Sequence, residues 1–145
     1  MIVREIVSKY KIIEKGSASE LTIDSPEKVW EFLRDKIADS IQEEFVVLIL
    51  NNKNRLTYFQ RVSMGTLNET IVHPRDVFRS AIRENGAGVI VAHNHPSGGL
   101  LPSKEDTTTT KRLIEAGKIL GISVHDSIIV SSSGYLSLKE EGYLN

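Results

Sequence analysis

The chain contains no cysteine. That excludes disulfides and every zinc site built on thiolates, and it agrees with a cytoplasmic location. Surplus positive charge is also missing: 18 Lys and Arg stand against 19 Asp and Glu, a formal net charge of −1. A duplex-binding domain ordinarily carries extra cations to neutralise phosphates, so net charge does not support a nucleic-acid partner. No apolar run is long enough for a membrane span; the longest, Phe45 to Leu50, is strand-sized. Residues 1–15 include Arg4, Glu5, Lys9, Lys11 and Glu14, a composition foreign to a signal peptide. Internal repeats, low-complexity tracts and obvious linkers are absent as well.

What remains is an ordinary globular composition. The 145 residues, 40% hydrophobic and 26% charged, suit one domain over 1–145 with one core. Residues 2–13 mix apolar and charged positions and predict a strand. "IDSPEKVWEFLRDKIADS" predicts a helix, with Ser25 as N-cap, Pro26 at its first position, and Val29, Trp30, Leu33 and Ile37 on one face. "EEFVVLILNNKNRLTYFQRVS" predicts two strands turned at Asn51–Asn54, and "GTLNET" a loop. A helix follows His73–Pro74, from Arg75 to Glu84, with Val77, Phe78, Ala81 and Ile82 inward and Gly86 as its C-cap.

"AGVIVAHN" is a short unbroken apolar run, the pattern of a strand covered on both faces. The next helix runs from Ser103 to Leu120 and ends at Gly121, with Thr109, Leu113, Ala116 and Leu120 inward. "ISVHDSIIVSS" is another strand and "SSGYLSL" a hairpin return. The alternation predicts an α/β domain with a mixed sheet and helices on its faces.

The chemistry concentrates in "AHNHPSGGLLPSKED", Ala92 to Asp106. Each residue has a plain explanation. Ser103-x-x-Asp106 is a capping box, the prolines and glycines punctuate a loop, and a histidine at a strand end is more often structural than a ligand. Together they say more. His93 and His95 are two apart, so an extended backbone turns both rings to one side. They follow a buried strand, at the sheet edge where open α/β sheets place their clefts. Asp106 lies in the first turn of a helix, where free amides favour a carboxylate. Two imidazoles and one carboxylate form a three-donor set for one zinc ion, leaving the fourth position to water, the pattern of a catalytic rather than a structural site. A base is then needed, and "SIQEEFVVLIL" offers Glu43 and Glu44 at the start of an apolar strand. Burial there would raise a carboxylate's pKa toward neutrality. The pattern alone does not choose between them. Ser103 is placed to hydrogen-bond an oxyanion, although capping draws on the same oxygen.

Glutamate, then His-x-His-Pro, seven residues, then Ser-x-x-Asp resembles the metal-binding motif of the JAB1/MPN/Mov34 (JAMM) metalloenzymes. "GTLNETIVHPRDVFRSAI", "AHNHPSGGLLPSKED" and "SLKEEGYL" resemble the RadC family more closely, over roughly residues 20–144. The resemblance implies a three-layer α/β/α fold with a mixed sheet, of the JAMM or deaminase-like kind. It makes His93, His95 and Asp106 zinc ligands, Glu43 the base and Ser103 the oxyanion helper. It implies a metalloprotease-like hydrolase acting on a peptide or isopeptide bond in a protein or peptide substrate, in a family tied by name to DNA repair. Two departures stand out. Many RadC proteins carry a further N-terminal helix-hairpin-helix-like segment, whereas this chain begins close to the metalloenzyme core. The family's Asp-His pair is here "HDS", with Asp126 kept, Ser127 in the histidine's place and His125 ahead of it.

An alternative of another class is a DNA-associated repair or mobile-element accessory that binds without cleaving. Arg75, Arg79 and Arg83, spaced four apart on a helix, are its support. A solvated helix face is the simpler account of that stripe, and the end of a loop the simpler account of His73. A base deaminase is excluded, because its His-x-Glu and Pro-Cys-x-x-Cys signatures are missing.

Overall fold

The computed structural model describes residues 1–64 and 72–145. The expected loop at "GTLNET" therefore lies outside the described residues. The elements run in the order α1 (Pro26–Leu33), β1 (Glu44–Leu50), β2 (Leu56–Met64), α2 (Pro74–Arg83), β3 (Gly88–Asn94), α3 (Lys104–Leu120), β4 (Ser123–Ser131) and β5 (Gly134–Ser137). Five strands form one mixed sheet in the order β2-β1-β3-β4-β5. Among the described residues only the β3–β4 pair is parallel, and α3 makes its crossover. Every residue of β1 and of β3 is buried. Both faces of these central strands are covered, and each aliphatic side chain so buried contributes roughly 1.5–3 kcal/mol.

Strand alternation divides the core in two. Val46, Leu48, Ile90, Ala92, Ile128 and Val130 pack with α1 through Val29 and Leu33. Phe45, Val47, Ile49, Val89 and Val91 pack with α2 and α3 through Val77, Phe78 and Leu113. The result is the three-layer α/β/α architecture with a mixed sheet, a JAB/MPN-like fold. No helix among the described residues is long and apolar enough to cross a membrane.

Several expectations need correction. Residues 2–13 form no strand, and most of their apolar side chains are exposed. Val3, Ile6, Val7, Tyr10, Ile12 and Ile13 do not alternate, so no single face of an extended chain could be buried. The first helix ends at Leu33 and continues as turns rather than running to Ser40. In α2, Ile82 is 53% exposed instead of inward. Its terminal left-handed residue is Asn85 (φ 54°), not Gly86. The buried face of α3 is Thr110, Leu113 and Gly117, one position round from the expected stripe, and Leu120 is 46% exposed. Four consecutive threonines carry no periodic signal, and Gly117 sets the rotation. A Cβ there would collide with the Ile122 carbonyl oxygen, so only glycine lets the helix settle so close to β4. Gly121 does end α3 in the left-handed region, φ 72°.

Candidate metal centre

β3 and β4 run parallel, so the ends of both strands and the start of α3 meet at one edge of the sheet. His93 is the penultimate residue of β3 and is buried, its ring stacked on Phe45 of the neighbouring strand at 6.0 Å and 14°. His95 follows just beyond the strand. The two Nε2 atoms lie 3.1 Å apart. Asp106 reaches both rings from the first turn of α3, Oδ1 to His93 Nε2 at 3.1 Å and Oδ2 to His95 Nε2 at 3.1 Å. Glu43, immediately before β1, completes the group: one donor atom from each of Glu43, His93, His95 and Asp106 falls within 4.8 Å of the others.

The hydrogen bonds around the group say which atoms are free. His95 Nδ1 lies 3.0 Å from the Gly99 carbonyl oxygen. A carbonyl only accepts, so Nδ1 carries the hydrogen and Nε2 turns a lone pair toward Asp106 and His93. Electron-rich atoms packed at 3.1 Å repel one another unless the ring is protonated or a cation sits among them. Donors about 2.1 Å from a shared tetrahedral centre lie roughly 3.4 Å apart, close to the spacing here. The set therefore fits a divalent ion. His93 Nδ1 is buried with no hydrogen-bond partner among the described residues.

Charge in the group is strongly polarised. With no ion bound and the rings protonated, burial alone would raise the Asp106 carboxyl, but hydrogen bonds donated by His93, His95 and the Ser103 amide overcome it and hold the group well below the usual carboxylate range. The hydrogen bond to Asp106 raises His95 above its ordinary value, against the opposing effect of burial.

Ser103 caps α3: its Oγ accepts the Asp106 N–H at 3.0 Å, while Asp106 Oδ2 accepts the Ser103 N–H at 2.8 Å. Capping uses a lone pair and leaves the hydroxyl hydrogen without an acceptor among the described residues. The two adjacent glutamates part company. Glu44 is buried on the opposite side of the strand and is held by Arg61 at 2.6 Å. Glu43 is half-buried beside the histidines.

Other candidates lie elsewhere. His73 is the N-cap residue of α2 and stands outside the group. His125 and Asp126 sit near the start of β4, at the far end of the sheet. Asp126 is buried, accepting from the Ser127 and Lys139 amides at 2.7 and 3.1 Å and from the Ser137 hydroxyl. In the arginine stripe, Arg79 is paired with Asp76 at 2.6 Å and Arg83 donates to Ser8 at 3.1 Å.

Sequence reasoning passed over Asn94, the residue between the histidines. It is 0% exposed. Its Oδ1 accepts the Glu44 N–H at 2.7 Å, and its Nδ2 donates to the carbonyls of Ser40 and Gln42 at 3.2 and 3.0 Å. The available signal was a carboxamide inside an otherwise apolar buried strand, which needs partners.

Known proteins resemble this chain over most of its length. The family model described as RadC-like JAB domain matches residues 23–143. A UPF0758 protein of Staphylococcus haemolyticus is 48% identical over 126 residues, which cover 87% of this chain and 55% of that protein. A UPF0758 protein of Clostridium botulinum is 44% identical over 138 residues, 95% of this chain and 60% of the relative. One from Methanosarcina mazei is 46% identical over 122 residues, 84% and 53% respectively. The chain thus spans between half and three-fifths of the length of these relatives. With the fold, the Glu-His-His-Asp group and the match over most of its length in agreement, the chain belongs to the RadC-like JAB domain family.

Proposed function

We propose that this domain is a zinc-dependent metallohydrolase that cleaves peptide or isopeptide bonds. The observation that carries the reading is the convergence of His93 Nε2, His95 Nε2 and the Asp106 carboxylate at 3.1 Å spacings, with Glu43 beside them. Two imidazoles and one carboxylate suit zinc and leave a coordination position for reaction. A bound ion would supply Lewis acidity, polarising a carbonyl and making water a stronger acid.

The chain's own residues do the rest. Glu43 accepts a proton from the attacking water and returns it to the departing amine. Ser103 directs its spare hydroxyl hydrogen at the carbonyl oxygen as charge builds there. Asp106 keeps its negative charge across the working pH range, so one ligand never needs deprotonating. A cleft of about 320 Å³ runs past His95, lined by Ile41, Ser97, Gly98 and Ser133 among others. Membership of the JAB family supports hydrolysis. No specific observation favours the DNA-binding alternative, since Arg79 and Arg83 are engaged within the chain.

Metal analysis of the purified protein beside His95→Ala tests the reading. One zinc per wild-type chain and none in the variant is expected. Equal, negligible zinc in both would end it. Glu43→Gln should keep its zinc and lose turnover of peptide or isopeptide substrates by about 10²–10⁴-fold. Undiminished turnover removes Glu43 from the role of base.

A further inference from the structure

We propose that Asn94 is a positioning residue for Glu43, tying the segment that carries the base to the strand that carries the two histidines. The inference rests on the metallohydrolase reading for its consequence, though not for its geometry.

Alternation places Asn94 on the face of β3 opposite His93, the face it shares with its strand partner Val130 and the α1 layer. There the side chain acts as a piece of backbone. The ladder between β1 and β3 ends at the Phe45–His93 pair, and the Asn94 carboxamide continues it. Its oxygen takes the Glu44 N–H, and its NH₂ group takes the carbonyls of Ser40 and Gln42. Only one orientation of the amide satisfies all three partners, because a flip would set NH₂ against N–H and oxygen against two carbonyls.

Glu43 lies between the last two gripped groups. The Gln42 carbonyl belongs to the peptide plane before its Cα, and the Glu44 N–H to the plane after it. Holding both planes sets φ and ψ of Glu43, and with them the direction of its Cα–Cβ bond. Without that grip residues 40–43, which form no helix or strand, would keep the Ser40 N–H bond to the Ile37 carbonyl at 3.1 Å and the Gln42 N–H bond to Ser40 Oγ at 3.4 Å, neither of which fixes the peptide plane after Glu43. Ordering a freely rotating backbone dihedral pair carries an entropic cost that the carboxamide meets in advance. Because Asn94 sits between His93 and His95, one tripeptide sets both the ligands and the distance of the base from them.

The test uses the full zinc-loaded chain and acetohydroxamate, a chelator that binds an accessible zinc and passes its proton to a neighbouring carboxylate. In Asn94→Ala, zinc affinity measured against a competing chelator should stay within about twofold of wild type. Acetohydroxamate affinity should fall by about tenfold, a typical effect of losing an outer partner. The amides of residues 42–44 should exchange with solvent at least about tenfold faster. The double variant Glu43→Gln/Asn94→Ala should bind acetohydroxamate no more weakly than Glu43→Gln alone, since the two changes act through one group. Asn94→Ser keeps a hydroxyl that can serve part of this set, so it should give an intermediate loss; it decides the matter if the alanine variant does not fold. In the wild type, the Asn94 carboxamide protons should exchange slowly.

Faster amide exchange with unchanged acetohydroxamate affinity would overturn the proposal, as would additive losses in the double variant. Zinc and acetohydroxamate affinity falling together would show that Asn94 supports the histidines instead. Fast exchange of the Asn94 carboxamide in the wild type would remove the tie itself. Failure of the wild type to bind zinc would sink the metallohydrolase reading, leaving the amide-exchange result to speak for the tie alone.

Discussion

The two ends of the β3–β4 pair each hold an aspartate, one buried and one partly exposed, and the contrast between them separates a clamp from a candidate site. At the start of β4, Asp126 accepts two backbone amides and one serine hydroxyl. Every bond comes from a group that can only be a donor there, and together they fasten β4 to β5 and the turn after it. At the other end, Asp106 faces two ring nitrogens that gather at 3.1 Å, one of them with its lone pair turned inward. Protein donors satisfy the first carboxylate. The second takes one backbone amide, from Ser103, and otherwise faces ring nitrogens able to bind a cation. An aspartate at a sheet end therefore reads as a ligand when imidazole nitrogens gather on it and as a clamp when N–H and O–H donors fill it.

The contrast predicts that zinc affinity and metal-free stability can be broken separately. The largest effect belongs to the metal end. His95→Ala should weaken zinc binding by more than about a hundredfold, since even outer partners of a ligand cost 10–100-fold. The stabilisation that zinc confers on the wild type, about 4 kcal/mol at a thousandfold excess over Kd, should vanish in a thermal scan of that variant. Asp126→Ala should do the reverse. It leaves buried donors unpaired, so the urea midpoint should report a loss of about 3 kcal/mol while zinc affinity stays unchanged. Loss of zinc binding in that variant would erase the distinction between the two ends.

Ser103→Ala tests the junction of the two roles. Losing the N-cap should lower stability by about 1 kcal/mol in denaturant titration, with zinc still bound because Asp106 remains. The smallest effect is expected at His125. Burial, with a contribution from Lys139, lowers its pKa below the ordinary histidine value. The unfolded chain then binds the proton more readily than the folded one. Stability is full above about pH 6.5 and is lost as pH falls toward the depressed value. His125→Asn should flatten that acid limb, measured as the urea midpoint against pH, without altering zinc binding.

Much of this was readable from local pattern. The two-residue spacing that sets His93 inside an apolar strand and His95 just past its end, and the capping box that brings Asp106 into the first turn of α3, are local rules that the folded chain obeys. The strands from Glu44 onward, the turn at Asn51–Asn54 and the Gly121 stop were equally legible. Long-range choices were not. Strand alternation puts Glu43 and Glu44 on opposite sides, but the residues alone do not say which side meets the histidines; the pairing of Phe45 with His93 decides that. Resemblance to RadC proteins favoured Glu43, and periodicity could not.

The order of residue types along the chain thus determined which groups can bind a metal and which local elements carry them, because caps, turns and strand alternation depend on near neighbours in sequence. Tertiary structure decided the rest: the strand order β2-β1-β3-β4-β5, the rotation of α3 about Gly117, the exposure of residues 2–13, and the grip of Asn94 on a segment 50 residues away. Those outcomes depend on which surfaces meet when distant segments compete for the same buried space, and no short window of sequence contains both competitors.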